Sequence, residues 1–348
     1  MGLLGAIVRT LVGGVVGALK LPFVIVPAIL RGRTPPAFTA GSPLGAALLE
    51  EDVAFISSRW PGRPCPPFRD VQLTSADGTK LHAVEDDGSR RAEGRRPIVF
   101  VHGFPELWVS WRRQLLHYAA QGHPVLALSM RGYGSSAKPA GLAAYDTVPL
   151  CDDIRAAVAR AAGDGTAKPL LVAHDWGAGV CWSYVSHAAG DETVAGYVSL
   201  SNPPTEAFRK GLSSLRQMWA SAYMVFFNAS LLPEWLLTVG SAWVTALILN
   251  DCERGGVEER TMNAYRANVL QEGAMTAQLN YYQAALAGGS EETKRRAKQN
   301  RLGAHPGPSP RSPLCCCCCC SCCCSCCSPC PAQACCSFSS AHSLAAAC

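Results

Sequence analysis

The stretch Leu170-Leu171-Val172-Ala173-His174-Asp175-Trp176-Gly177-Ala178-Gly179 decides how the rest of the chain is read. Leu170 to Ala173 is a short unbroken apolar run, the pattern of a strand buried on both faces of a parallel sheet. The run stops at His174 and Asp175, small residues follow at 177, 178 and 179, and a helical pattern begins after them. Strand, sharp polar turn and helix in that order make a nucleophile elbow, which lifts one side chain above the sheet. Ala173 and Gly177 are small enough to let the two backbones approach closely. The residue at the tip is Asp175, not Ser or Cys. That excludes serine-esterase chemistry and suits a reaction in which a carboxylate attacks carbon. The competing reading is a strand that ends in a helix-capping aspartate.

Outward from the elbow the same alternation repeats. Residues 98–101 and 125–129 read as further buried strands, ending at His102-Gly103-Phe104-Pro105 and Arg131-Gly132-Tyr133-Gly134. Residues 111–120 and 150–162 carry helical patterns, the elbow helix is expected to run to residue 189, and 194–200 reads as a strand. Residues 70–73 and 80–85 flank Asp77-Gly78, a hairpin signal. The expected class is α/β, a mostly parallel sheet covered on both faces. Beyond Asn202 only helical periodicity remains, from 207 to 282, with aromatics at Trp219, Tyr223, Phe226, Phe227, Trp235, Trp243, Tyr265, Tyr281 and Tyr282. A helical block inserted after the sixth strand reads as a cap over the strand ends, where ligands bind in open α/β sheets. Most of its aromatics are expected to be packing residues.

Composition bounds the function. The chain has 348 residues, enough for one large domain with an insertion. Of the net charge of +5, Arg9, Lys20, Arg31 and Arg33 supply four, and no acid occurs before Glu50. The remainder is nearly neutral, so no nucleic-acid partner is expected. All but Cys65, Cys151, Cys181 and Cys252 of the 19 cysteines lie between 315 and 348. Those four show neither metal-ligand nor CxxC spacing, and six consecutive cysteines have no turn that would wrap an ion, so neither metal nor cofactor is expected.

The expected plan has five parts. Residues 1–34 form a hydrophobic segment. Its run from 10 to 30 is apolar except for Lys20 and about long enough to cross a bilayer core, with Arg31 and Arg33 after it. This favours a membrane anchor, bent at Pro22 and Pro27 if monotopic. A cleaved signal or an organelle transit peptide are the alternatives. Residues 35–67 read as a linker with one short helix near 48–57, 68–201 as the α/β core, 202–287 as the cap, and 288–348 as a disordered low-complexity Cys/Ser/Pro tail.

Three motifs coincide in order and spacing: His102-Gly103-Phe104-Pro105-Glu106 with Trp108 and Trp111, Arg131-Gly132-Tyr133-Gly134-Ser135-Ser136, and His174-Asp175-Trp176-Gly177. Together they resemble the epoxide hydrolases of the α/β-hydrolase fold. The apolar N-terminus, Tyr223-Met224-Val225-Phe226-Phe227 and Leu279-Asn280-Tyr281-Tyr282 are most similar to the membrane-anchored animal epoxide hydrolases. The resemblance runs from about residue 68 to about 287. It implies Asp175 as nucleophile, Tyr223 and Tyr282 as donors to the leaving oxygen, and a small apolar epoxide as substrate. It also implies an oxyanion hole from the backbone N–H groups of Phe104 and Trp176. His102, Gly103 and a cis Pro105 would be structural, as would His174. The family closes its triad with an acid after the seventh strand and a His after the eighth. Here the only histidines beyond the elbow helix are His305 and His342, the only acids beyond Tyr282 are Glu291 and Glu292, and Asn202 holds the alternative acid position. No catalytic His or triad acid is therefore carried over. The last two strands are expected to be missing, leaving a C-terminally truncated domain with an unpaired sheet edge. Three readings stay open: an epoxide hydrolase impaired in hydrolysing its ester, a haloalkane-dehalogenase-like hydrolase, and a membrane-tethered inactive pseudoenzyme. The dehalogenase would ask for a cap halide donor, usually Trp, where this chain has tyrosines.

Overall fold

The computed structural model describes residues 68–89, 91–163, 167–186, 192–229, 231–252, 256–289 and 314–316, with 15 and 293 as single positions. The expected anchor, apart from Val15, the expected linker helix near 48–57, and residues 187–189, to which the elbow helix was expected to run, lie outside them.

Seven strands form one sheet: β1 (Phe68–Thr74), β2 (Lys80–Asp86), β3 (Ile98–Val101), β4 (Val125–Leu128), β5 (Leu170–His174), β6 (Gly196–Leu200) and β7 (Leu314–Cys316). Their order is β1-β2-β4-β3-β5-β6-β7. β1 pairs antiparallel with β2, and β2 antiparallel with β4. From β4 onward every pairing is parallel. The hairpin turns at Gly78, whose φ of +84° suits a residue without a side chain, and the Thr79 N–H donates to Asp77 Oδ1 at 2.9 Å. β3 and β4 are buried along their whole length, as continuous apolar runs in a two-sided sheet should be.

The core helices are α1 (Arg112–Ala120), α2 (Thr147–Ala162) and α3 (Asp175–Val185). α2 starts where Asp146 accepts the Thr147 N–H, and it buries Leu150, Ile154, Ala157 and Val158, a single stripe at i, i+4, i+7 and i+8. At the carboxyl end of β4, Arg131 is fully buried. Its Nε and Nη2 donate to the two oxygens of Asp153 on α2, each at 2.6 Å, and Nη1 donates to Ala144 O at 2.7 Å and Asp77 Oδ2 at 3.0 Å. One side chain thus ties the hairpin turn, the loop after β4 and α2 together.

The far edge departs from expectation. No strand was expected after residue 286, yet Leu314-Cys315-Cys316 pairs in parallel with Val198, Ser199 and Leu200. Three residues suffice for this short edge pairing although they carry no alternating pattern. Those three positions also correct the expectation that the whole of 288–348 is disordered.

Between β6 and β7 the described elements are helices: α4 (Thr205–Gly211), α5 (Leu215–Ser221), α6 (Tyr223–Phe227), α7 (Leu232–Cys252), α8 (Glu259–Leu270) and α9 (Ala274–Leu286). α7 is two helical segments joined at Val239–Ala242, where Gly240, Ser241 and Ala242 all take positive φ. Leu232–Asn250 is long and apolar enough to cross a bilayer, but Leu237, Ala246 and Leu247 are buried inside the molecule, as in a core helix. Phe226, Phe227, Leu237, Val244, Val269, Met275, Leu279 and Tyr282 form an apolar cluster of their own. The expectation that most cap aromatics pack holds for Phe226, Phe227, Tyr265, Tyr281 and Tyr282. The other four of the nine, Trp219, Tyr223, Trp235 and Trp243, are exposed.

Candidate active site

The carboxyl ends of β3, β4, β5 and β6 lie along one edge of the sheet, and their loops meet at Asp175. Its φ of +49° is one that a residue with a Cβ adopts only when its surroundings hold it there. Two glycines do the holding. A Cβ at Gly177 would stand 2.3 Å from His102 O, and one at Gly103 would stand 2.4 Å from the Asp175 Cβ. The loop after β3 therefore presses directly on the elbow, and the close approach belongs to Gly103 as well as Gly177.

The Phe104 N–H donates to Asp175 Oδ1 at 2.9 Å, and the Trp176 N–H also donates to this carboxylate. The Phe104–Pro105 peptide is cis. Asn202 Nδ2 donates to the Asp175 backbone carbonyl at 3.1 Å. Its own carbonyl accepts from Trp182 Nε1 at 3.0 Å and Ser199 Oγ at 2.6 Å. Burial raises the Asp175 pKa above the usual carboxylate value, and the charge on His174 and the two N–H donors work against that rise.

The neighbouring histidines are committed elsewhere. Met130 N–H donates to His102 Nε2 at 3.1 Å, which fixes the proton on Nδ1, and Nδ1 donates to Gly103 O at 2.9 Å. Burial holds the His102 pKa down to about 4, so the ring is neutral. His174 Nδ1 lies 3.0 Å from Glu106 Oε2. Burial opposes its charge, but Glu106 and then Asp175 outweigh burial and raise the pKa to about 9. Glu106 Oε2 also accepts the Gly103 N–H at 3.1 Å. His82 is bonded to Ser129 and Asp70, His117 to Gln121, and His123 to Arg96 O. Among the described residues, then, no uncommitted imidazole faces Asp175.

The cap brings its tyrosines over this floor. Tyr282 is buried, with its ring 4.9 Å from Trp176, 5.2 Å from Phe104 and 4.9 Å from Phe227. Burial, Tyr223 and the Asp175 carboxylate raise its pKa well above that of a free phenol, so it stays a proton donor. The Tyr223 ring lies 6.1 Å from that of Tyr282 and is 38% exposed. Six of the residues expected at the site from sequence, Asp175, Phe104, Trp176, Gly103, Tyr282 and Tyr223, thus share one region.

Residues 96–298, more than half of the chain, match the α/β hydrolase fold family. The chain belongs to that family. Within it, mouse epoxide hydrolase 3 is 31% identical over 216 residues, 61% of this chain and 56% of that protein. Epoxide hydrolase 3 of Xenopus tropicalis is 31% identical over 239 residues, 64% of this chain and 63% of that protein. The chain thus spans less than two thirds of the length of these curated relatives. Among solved structures, epoxide hydrolase VrEH1 from Vigna radiata is 26% identical with a TM-score of 0.53, covering 67% of this chain and 76% of that one. These likenesses support an α/β hydrolase of the epoxide hydrolase kind.

Two contributors to this α/β-hydrolase site escaped the sequence. Asn268 on α8 accepts the Gly134 N–H at 2.7 Å and donates to Glu106 O at 3.2 Å, clamping two motif loops to the cap. An asparagine in a helix reads as solvent-facing, so nothing pointed to it. The Glu106–His174 pair was visible only as two motif residues without a relation. Among the described residues there is no cluster of three or more potential metal ligands.

Proposed function

We propose that the chain opens an apolar epoxide by attack of Asp175 on a ring carbon. Phe104 N–H holds Oδ1, which leaves Oδ2 as the attacking oxygen. A bond forms from Oδ2 to carbon, the carbon–oxygen bond of the ring breaks, and the leaving oxygen takes a proton from Tyr282 or Tyr223. The product is an ester of the Asp175 side chain. Water then adds to the ester carbonyl. Negative charge collects on Oδ1, where the Phe104 and Trp176 N–H groups form an oxyanion hole. Collapse breaks the bond from the acyl carbon to Oδ2, one of the water's protons goes to the departing oxygen and the other returns to the tyrosinate, so the diol leaves and Asp175 is again a carboxylate. The observation that carries this reading is the Asp175 carboxylate, strained to φ +49° and bonded by Phe104, beneath Tyr282.

The second step needs a base to take a proton from water. His102 is neutral but hydrogen-bonded at both nitrogens, and His174 is held as a cation, so neither serves. Losing a general base costs ~10²–10⁴-fold, so the ester should outlive the ring opening. Incubation with styrene oxide, followed by intact-mass measurement, should show one epoxide added per chain, and Asp175→Ala should abolish it. A folded protein that takes up no epoxide would support the inactive pseudoenzyme. Many turnovers to diol would mean that a base outside the described residues, such as His305, reaches the ester.

We further propose that residues 10–30 hold the chain at a membrane. Support comes from the apolar run followed by Arg31 and Arg33. Uncleaved chain recovered wholly in the soluble fraction after a carbonate wash would rule this out.

A further inference from the structure

Asn202 is bonded to the nucleophile elbow, yet neither step of the proposed reaction uses it. It stands just after β6, in the alternative acid position, and carries an amide instead. Its Nδ2 donates to the Asp175 backbone carbonyl at 3.1 Å. A carboxylate there would face that carbonyl oxygen with no proton to share, so the bond demands the amide.

The loop after β6 is built to deliver this group. Ser201 takes φ +60°, a left-handed value that a residue with a Cβ keeps only when it is held. The Asn202 carbonyl accepts from Trp182 Nε1 at 3.0 Å and from Ser199 Oγ at 2.6 Å. Trp182 Nε1 also donates to Ser199 Oγ at 3.0 Å, which ties the two donors together. Gly179 leaves the amide its space, because a Cβ at 179 would stand 3.0 Å from Asn202 Nδ2.

The carbonyl that Asn202 holds and the Trp176 N–H belong to one peptide group. That group is planar and trans, so its C=O and N–H point in opposite directions, and fixing one fixes the other. The Trp176 N–H donates to the Asp175 carboxylate, and the same N–H is the second donor of the proposed oxyanion hole. Asp175 enters α3 with φ +49°, so helical geometry alone does not set the plane that follows it. A hydrogen bond accepted at the carbonyl also polarises the amide and strengthens its N–H as a donor.

We propose that Asn202 is a positioning residue, which aims the Trp176 N–H at the Asp175 carboxylate by holding the opposite end of their shared peptide. The aim itself is independent of the substrate. Only its use, to steady the oxyanion as the ester is hydrolysed, rests on the epoxide reading.

The test titrates Asp175 by carbon-13 magnetic resonance, in the full chain in detergent with its aspartates labelled at Cγ. The Asp175 signal is the one that Asp175→Asn removes. The groups that face Asp175 are His174 beside it, Glu106 from the loop after β3, Tyr133 from the loop after β4 and Tyr282 from α9. No variant alters any of them. Asn202→Leu keeps the branched shape and adds no charge, but it has no N–H to donate. The Asp175 carboxyl should then bind its proton about tenfold more tightly, as befits the loss of one hydrogen bond to the charged form. Gly179→Ala keeps Asn202 but crowds its amide, in a helix that favours alanine. It should move the titration the same way, by less. Circular dichroism checks each fold, and should Asn202→Leu fail to fold, Gly179→Ala decides alone. An Asp175 titration unchanged in the folded variants would overturn the proposal. Because no epoxide is used, a chain that forms no adduct would remove the epoxide reading without touching this result.

Discussion

The floor and the roof of the site are built by different means. The floor is a set of loops at the strand ends, closed by short bonds between backbone and side chains: Phe104 to Asp175, Gly103 to Glu106, Glu106 to His174 and Asn202 to the Asp175 carbonyl. The roof is a set of helices held by apolar contact, with one tyrosine buried and the other partly open to water. A floor of this kind has one geometry and tolerates little. A roof packed by side chains can lose a hydroxyl and keep its shape. Damage to the floor should therefore appear as lost stability, and damage to the roof as lost rate.

Gly177→Ala should break the comparison hardest. Its Cβ would sit 2.3 Å from a backbone carbonyl that cannot swing away. The expected cost is about 4–5 kcal/mol or more, a large part of the ~5–15 kcal/mol that holds a domain together. Urea denaturation would show it, or the variant would be recovered unfolded. Arg131→Leu comes next, because Asp153 would remain buried without its cation. Breaking such a pair costs ~3–5 kcal/mol, read by the same titration.

Glu106→Gln sharpens the account through pH. The folded pKa of His174, about 9, lies above its ordinary 6.5. The stability it contributes is complete below pH 6.5 and is lost as pH rises from there through about 9. The unaltered chain should lose on the order of 2 kcal/mol across that window, and Glu106→Gln should flatten the loss. A variant whose thermal midpoint falls as steeply with pH as that of the parent would detach His174 from Glu106. On the roof, Tyr282→Phe should change stability by less than about 1 kcal/mol while slowing epoxide uptake by ~10²-fold. Tyr223→Phe, at the more exposed position, should slow it less. Equal stability losses on floor and roof would erase the distinction.

The floor was also the more legible half. A strand running into His174-Asp175-Trp176-Gly177 reads as a tight turn, and Gly177, with Gly103 facing it, allows the loop after β3 so close. Helical periodicity placed the cap but could not orient it. Period alone does not tell an inward stripe from an outward one, so it could not say which of the cap aromatics, such as Trp219 and Trp235, would be exposed. Asn268 was missed because its partners, Gly134 and Glu106, are more than a hundred residues away and no local pattern links them. β7 was missed because three residues are too few to show a period.

The measurement closest to the central claim is the fate of Asp175 itself. The chain should be mixed with styrene oxide, quenched at intervals, digested, and the peptide spanning Asp175 weighed. An ester on Asp175 should accumulate to one per chain and persist long after the epoxide is removed, with little diol released. An unmodified Asp175 in a folded chain that still consumes the epoxide, or an adduct on any other side chain, would contradict it.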